Sequence, residues 1–298
     1  MRHPIIIGSR GSDLALWQAH FVQNELNSIG LESVIHIIKT KGDAIQHLSF
    51  DKIEGKGFFT KEIEEALLNN IIDIAVHSHK DLETTSPEGL IIAAVSHRAD
   101  ARELLLIHPQ AVDEQQTLSF KKNAIIGTSS ARRKAQILNV RPDISISDIR
   151  GNVPTRVQKL RDGQFDAILL AKAGIDRLKL DVSDLHVIAI DENTIVPAPA
   201  QGALAIQCRT TDSDIINHLQ AINHKQVQHN IHIERQVLNR LQGGCQLPLG
   251  VHAIYQNDIY QVKVAYAKQW DAPLLRFEVE GPHPEQLVAD ILERIEQQ

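Results

Sequence analysis

PIIIGSRGSDLALWQAHFVQNELNSIG, residues 4–30, decides the fold. Ile5, Ile6 and Ile7 are β-branched and stop at Gly8, which suits a short apolar strand. A glycine-rich turn follows. Ser12 or Asp13 then stands where a helix N-cap belongs. Leu14, Trp17, Phe21 and Leu26 are among the apolar positions of a helix reaching about Ile29. Strand, turn and helix in this order open a βαβ unit, and in such sheets ligands collect at the carboxyl ends of the strands.

The same rhythm extends outward. SVIHIIKT (33–40), DIAVHS (73–78) and LIIAAV (90–95) read as strands, and FFTKEIEEALLNN as a helix between them. From residue 101 the pattern begins again. ELLLIH, AIIG, ISISDI, AILLA and VIAI are strand candidates, and SARRKAQILNV, VPTRVQKLRDG and AGIDRLKL are the helices between them. No sequence repeat accompanies the shared rhythm, yet it suggests two similar α/β domains. ALAIQCR (203–209) is one more strand, placed where the chain is expected to cross back to the first domain. Two helices, a hairpin around Gln256-Asn257-Asp258, a third strand in LLRFEVEG and a C-terminal helix make a small α+β tail. The expected division is residues 1–100 with 195–217, residues 101–194, and residues 218–298.

Bulk properties narrow the function. Apolar residues form 43% of the 298, enough for a large core, while aromatics are only 4%, so aliphatic side chains must fill it. A net charge of −6 argues against nucleic-acid binding through a globally basic surface. The chain has neither a secretory signal pattern nor an apolar run long enough to span a membrane. Two cysteines cannot make a disulfide scaffold. A cytoplasmic protein with reduced thiols is expected.

The polar constellations sit at strand-to-helix junctions. Arg10 lies in GSRGS, Arg132 and Arg133 open the helix after GTSS, and Arg150 and Arg156 flank the junction in IRGNVPTR. Backbone N–H groups and helix dipoles favour anions at such places, and guanidinium matches carboxylate or phosphate bidentately. One arginine near a helix start is ordinarily a solvated side chain. Five of them, beside Ser12, Thr128, Ser129 and Ser130, point to a polyanionic ligand.

Lys80 and Asp81 follow the DIAVHS strand and are expected at its carboxyl mouth. A carboxylate there stabilises a cation or shuttles a proton. The competing reading makes Asp81 the N-cap of a helix at LETT. His77 and His79 would share one strand face, but no third ligand joins them, so no metal is expected. Lys56, Phe59 and Lys61 in GKGFFTKE belong either to a mobile basic loop with an aromatic lid or to a helix start whose phenylalanines enter the core. Cys208, in an apolar strand, reads as a buried small hydrophobe. Cys245, in LNRLQGGCQLPLG, is either a turn thiol or a nucleophile.

GSRGSDLALWQA, KGDAI, GKGFFTKEIEEALL, DIAVHSHKD, GTSSARRKAQ, IRGNVPTRVQKL, AILLAKAGIDRL, PAPAQGAL and ERQVLNRLQGGCQLPLG, in this order, resemble the hydroxymethylbilane synthase (porphobilinogen deaminase) family. The likeness runs from about residue 5 to residue 250, and the tail matches only in general character. It implies two lobes like those of type II periplasmic binding proteins, followed by a small α+β domain with an antiparallel three-stranded sheet. It implies a transferase that condenses porphobilinogen head to tail onto a covalent dipyrromethane cofactor. Ammonia is lost at each step, and water then releases the linear tetrapyrrole.

On this resemblance Cys245 holds the cofactor by a thioether. Asp81 assists loss of ammonia and stabilises the cationic azafulvene and pyrrole intermediates, as an interior carboxylate among bases. Lys80, Arg132, Arg133, Arg150, Thr128, Ser129, Ser78 and Gly174 contact the cofactor. Arg10, Ser12, Gln18, Arg150, Arg156, Arg177 and Gln201 contact substrate. Lys56, Phe59 and Lys61 form a mobile loop. Porphobilinogen is the only partner implied, with no nucleic acid, no membrane and a monomeric chain. His79, Lys172, Leu247 and Ala200 depart from the family's usual residues, and Ala200 is expected to stiffen the segment between lobes. The rivals are a non-catalytic anion-binding protein of the same fold and a cysteine hydrolase.

Overall fold

The computed structural model describes residues 3–40, 60–244 and 246–297. The chain divides into two compact units, Met1–Ala99 with Gly202–His229, and Asp100–Gln201 with Asn230–Gln298. Elements are numbered along the chain.

The first unit holds β1 (Ile5–Ser9), α1 (Asp13–Ser28), β2 (Ser33–Ile37), α2 (Lys61–Leu68), β3 (Ile74–Ser78), β4 (Leu90–Val95), β10 (Leu204–Arg209) and α6 (Ser213–Gln220). The sheet order is β2-β1-β3-β10-β4. β1 runs parallel to β2 and β3, whereas β10 is antiparallel to β3 and β4. Ile5, Ile7, Ile74, Val76 and Ile206 pack with Ala19, Val22 and Leu26 of α1 on one face. Ile63, Ala66 and Leu67 of α2 pack with Ile72 and Ala75 on the other. The stripe buried by α1 is Gln18, Ala19, Val22 and Leu26. Trp17 and Phe21, two of its expected apolar positions, stack on each other with ring centroids 5.6 Å apart, and Phe21 also packs against the core.

The second unit begins with β5 (Glu103–Ile107), β6 (Ile125–Gly127), α3 (Ala131–Val140), β7 (Ser145–Ser147), α4 (Val153–Arg161), β8 (Ala167–Ala171), α5 (Lys172–Leu178) and β9 (His186–Ile190). Its sheet order is β7-β6-β8-β5-β9. β6 is parallel to β7 and β8, and β5 is antiparallel to β8 and β9. The two five-stranded sheets therefore share one topology, each with a single antiparallel strand in the fourth position. β10 is the returning strand expected from the sequence. Its counterpart β5, the strand expected in ELLLIH, enters the second sheet directly after β4, and its antiparallel place between β8 and β9 was not anticipated.

The second unit also contains β11 (Leu249–Gln256), β12 (Ile259–Tyr266), β13 (Leu275–Gly281) and α8 (Pro284–Glu296). These strands form an antiparallel sheet in the order β11-β12-β13. Asn257 and Asp258 both take positive φ, 54° and 64°, in the tight turn of the expected hairpin. Ile233 and Val237, from α7 (Lys225–Arg240), and Leu287, Val288 and Ile291 of α8 pack on this sheet. The protein is thus α/β, with two sheets of equal topology and a small α+β portion. No helix among the described residues is long and apolar enough to cross a membrane.

Candidate active site

In the first unit, parallel pairing of β1 and β3 brings the turns after Ser9 and Ser78 out at one sheet edge. Arg10, Ser12, Ser78, Lys80 and Asp81 all gather there. The Ser12 hydroxyl caps α1 by accepting from the Ala15 N–H at 3.4 Å. Gln18, buried on α1, donates from Nε2 to Ser78 Oγ at 2.8 Å and ties the helix to the end of β3. His79, Lys80 and Asp81 form a short 3-10 turn, and Leu82 leaves it extended, at φ −76° and ψ 144°. Asp81 therefore caps no α-helix, which removes the competing reading. It is exposed rather than interior, while Arg10 and Lys80 are half-buried.

His77 is buried. Its Nε2 lies 3.2 Å from Gln207 Oε1, and Gln207 Nε2 donates to Glu64 Oε1 at 3.0 Å. Burial lowers its pKa to about 4, opposed by the Gln207 hydrogen bond and reinforced by the positive charge of Arg10. His77 is thus neutral at pH 7 and committed to Gln207. Among the described residues no three His, Cys, Asp or Glu side chains gather as a metal site. Lys61 opens α2, 67% exposed and 4.0 Å from Glu65. Lys56 and Phe59 lie outside the described residues, as does Cys245.

The second unit repeats the placement with different side chains. Parallel pairing of β6 with β7 and β8 brings the segments after these three strands to one edge. Thr128, Ser129, Arg132 and Arg133 follow β6, Arg150 follows β7, and Gly174 and Arg177 follow β8. Ser129 Oγ donates to Ile149 O at 2.9 Å and accepts from the Ile149 N–H at 3.1 Å, which sets the chain entering Arg150. Arg156, at the start of α4, donates from Nε to Gly151 O at 2.8 Å. Gly174 is buried within α5, and Arg177, almost wholly buried, has its pKa pushed down by burial to about 10.

Arg132 and Arg133 are both buried, against the ordinary expectation for a helix-start arginine. They converge on Glu103, a fully buried carboxylate at the head of β5. Arg132 Nη2 donates to Glu103 Oε1 at 2.5 Å, and Arg133 Nη2 donates to Oε2 at 2.7 Å. Gln201 Nε2 donates to the same Oε1 at 3.0 Å and to Ala101 O at 2.7 Å, so this amide holds the carboxylate in place. Burial lowers the Arg132 pKa, with Glu103 opposing. Arg133 Nε is buried and has no hydrogen-bond partner among the described residues. Buried donors are ordinarily satisfied, so this unmet donor calls for an explanation. Sequence reasoning missed Glu103. Its one signal was a single charge opening the otherwise apolar run ELLLI.

Ala200 sits at φ 63°, in the left-handed region that favours glycine. Its N–H donates to buried Glu234 Oε2 at 2.7 Å, and Glu234 Oε1 accepts from the Ala253 N–H at 2.8 Å. Cys208 is fully buried on β10, and burial raises its thiol to about 11. It is a core residue without thiolate character.

In each of the two α/β units, cationic side chains follow the strand ends, an arrangement suited to an anionic ligand. A family model described as porphobilinogen deaminase, dipyromethane cofactor binding domain, matches residues 5–217, and its C-terminal-domain companion matches residues 229–296. A porphobilinogen deaminase from Nitratiruptor sp. is 43% identical, covering 93% of this chain and 87% of that one. Those of Sulfurimonas denitrificans and Bacillus cereus are 44% and 40% identical, covering 85% and 98% of this chain and 80% and 94% of theirs. Among solved structures, a periplasmic sulfonate-binding protein SsuA from Methylobacillus flagellatus is similar at 13% identity and TM-score 0.42, covering 78% of this chain and 68% of that one.

The chain belongs to the porphobilinogen deaminase family. Its activity is that of a hydroxymethylbilane synthase, a transferase of porphyrin biosynthesis that takes porphobilinogen as substrate and dipyrromethane as cofactor.

Proposed function

We propose that Cys245 carries the dipyrromethane and that Asp81 is the catalytic carboxylate. The bound cofactor supplies a covalent primer to which each new pyrrole is joined. Two pyrroles, each bearing an acetate and a propionate, present four carboxylates. The chain's donors fit such a group: Arg132, Arg133, Arg150, Lys80, Thr128, Ser129 and Ser78 hold it, with Gly174 leaving room for close backbone approach. The buried, unpartnered Nε of Arg133 is the observation that carries this assignment.

Arg10, Ser12, Gln18, Arg150, Arg156, Arg177 and Gln201 orient the carboxylates of incoming porphobilinogen, Gln201 by holding Glu103 against the two buried arginines. Asp81 keeps a negative charge beside the pyrrole nitrogen where positive charge develops as ammonia leaves. Its exposure supports access to each successive ring. Lys56, Phe59 and Lys61 shield the reacting pyrrole from water. Three domains, residues 1–100 with 195–217, 101–194 and 218–298, divide these tasks. The chain works as a cytoplasmic monomer with no nucleic-acid or membrane partner. An Asp81→Asn variant tests the assignment: it should keep the adduct mass and lose turnover. Retention of normal turnover would remove Asp81 from the chemistry.

A further inference from the structure

Gln136 lies on α3 one turn after Arg132 and is 1% exposed. Its amide grips one residue in both directions. Gln136 Oε1 accepts from the Val196 N–H at 2.7 Å, and Nε2 donates to Val196 O at 3.0 Å. Arg132 Nη1 donates to the same carbonyl at 2.9 Å. On the other side, Arg276 of β13 donates from Nη2 to Gln136 Oε1 at 3.2 Å and to Thr194 O at 2.8 Å, and from Nη1 to Asn193 O at 2.5 Å. The first strand of the same sheet also meets this segment. A Cβ on Gly250 would stand 2.5 Å from Val196 O, and the Val251 N–H donates to Pro197 O at 3.1 Å.

We propose that Gln136 is a positioning residue that couples the three-stranded sheet to Arg132. β11 begins at Leu249, four residues after Cys245 in the sequence. The 193–197 segment is held between that sheet and α3, and Gln136 is the side chain bonded to both sides. Because Val196 O is shared by Gln136 and Arg132, any shift of the segment moves the guanidinium that faces Glu103. The inference rests on Arg132 being a cofactor-binding group and assigns Gln136 a role through it. The ridge Arg276–Gln136–Val196–Arg132 is then the connection through which the three-stranded sheet positions this cofactor-binding arginine.

A double-mutant cycle on the cofactor-loaded enzyme tests this. Gln136→Leu is expected to lower kcat ten-fold or more and to leave the KM for porphobilinogen within two-fold. Arg132→Met should do at least as much, and the double variant should be no slower than Arg132→Met, because both changes remove one function. Multiplicative losses in the double variant, or a Gln136→Leu enzyme that is only less heat-stable, would overturn the proposal. Normal kcat in Arg132→Met would instead show that the cofactor reading of Arg132 is wrong. If Gln136→Leu does not fold, Arg276→Met carries the same cycle, since the Asn193 and Thr194 carbonyls it leaves can turn to water. It should reproduce the non-additivity with a smaller loss, and additive losses would count against the coupling.

Discussion

The two five-stranded sheets share one strand order and treat their functional charges in opposite ways. At the edge of the first, Arg10 and Lys80 are half-buried and Asp81 stands exposed. At the corresponding edge of the second, Arg132 and Arg133 are buried and clamped on Glu103, whose two oxygens they divide. One carboxylate against two guanidiniums leaves a net positive charge fixed in place before any ligand arrives, and such preorganisation is worth most where water is excluded. The first edge leaves its charged groups partly or wholly exposed. The topology is common to both, and the side chains assign the tasks.

Changing the exposed carboxylate should have the largest effect on activity. Asp81→Ala is expected to lower turnover by about 100-fold or more, the scale of a lost acid–base or charge-stabilising group. Its melting temperature should be unchanged, because the side chain is exposed and caps no α-helix. A parallel loss of stability would break the contrast between an exposed carboxylate and a buried clamp. At the second edge the order reverses. Glu103→Gln removes the partner of two buried cations and should cost about 3–5 kcal/mol in urea unfolding. A cost under about 1 kcal/mol would mean that the arginines rearrange freely and that the clamp is not preorganised.

A pH series separates the units further. His77, in the first, has its folded pKa depressed to about 4, below the ordinary 6.5. The unfolded chain therefore binds the proton first, and the His77 contribution is complete above about pH 6.5 and lost as pH falls toward 4. That loss amounts to about 3 kcal/mol at most. The difference in stability between the wild type and His77→Gln should shrink or change sign across this window. A constant difference would place His77 outside the titration. The smallest expected effect is at Ala200. Replacing it with glycine relieves a left-handed strain of about 1–2 kcal/mol and gives up a buried methyl of about 0.8 kcal/mol. A gain of about 0.5 kcal/mol in calorimetry is the result, and a loss would show that Glu234 depends on the alanine.

Much of this was legible in the sequence because strands and helices here carry strong local signals. PIIIG, AILLA and VHAIYQNDIYQVKVAYA became the elements their patterns describe. The arginines at strand ends were also legible, since topology alone puts such junctions at one sheet edge. What stayed hidden depends on long-range pairing. β5 in the middle of the second sheet cannot be told from an edge strand by its own apolar run. Glu103 gains meaning only when α3 brings two arginines across to it from 29 and 30 residues away. The helix reading of LETT failed because capping chemistry is satisfied equally by a short turn. Gln136 offered no signal, since an amide on a helix reads as surface until its partner Val196 is known.

The central claim is that Cys245 is the anchor and Cys208 is not. Intact mass spectrometry of the native protein, followed by peptide mapping, tests it directly. The predicted result is a mass increase of two linked pyrrole units located on the peptide containing Gly243, Gly244 and Cys245, absent from Cys245→Ser. An unmodified chain with full activity, or an adduct on the Cys208 peptide, would contradict it.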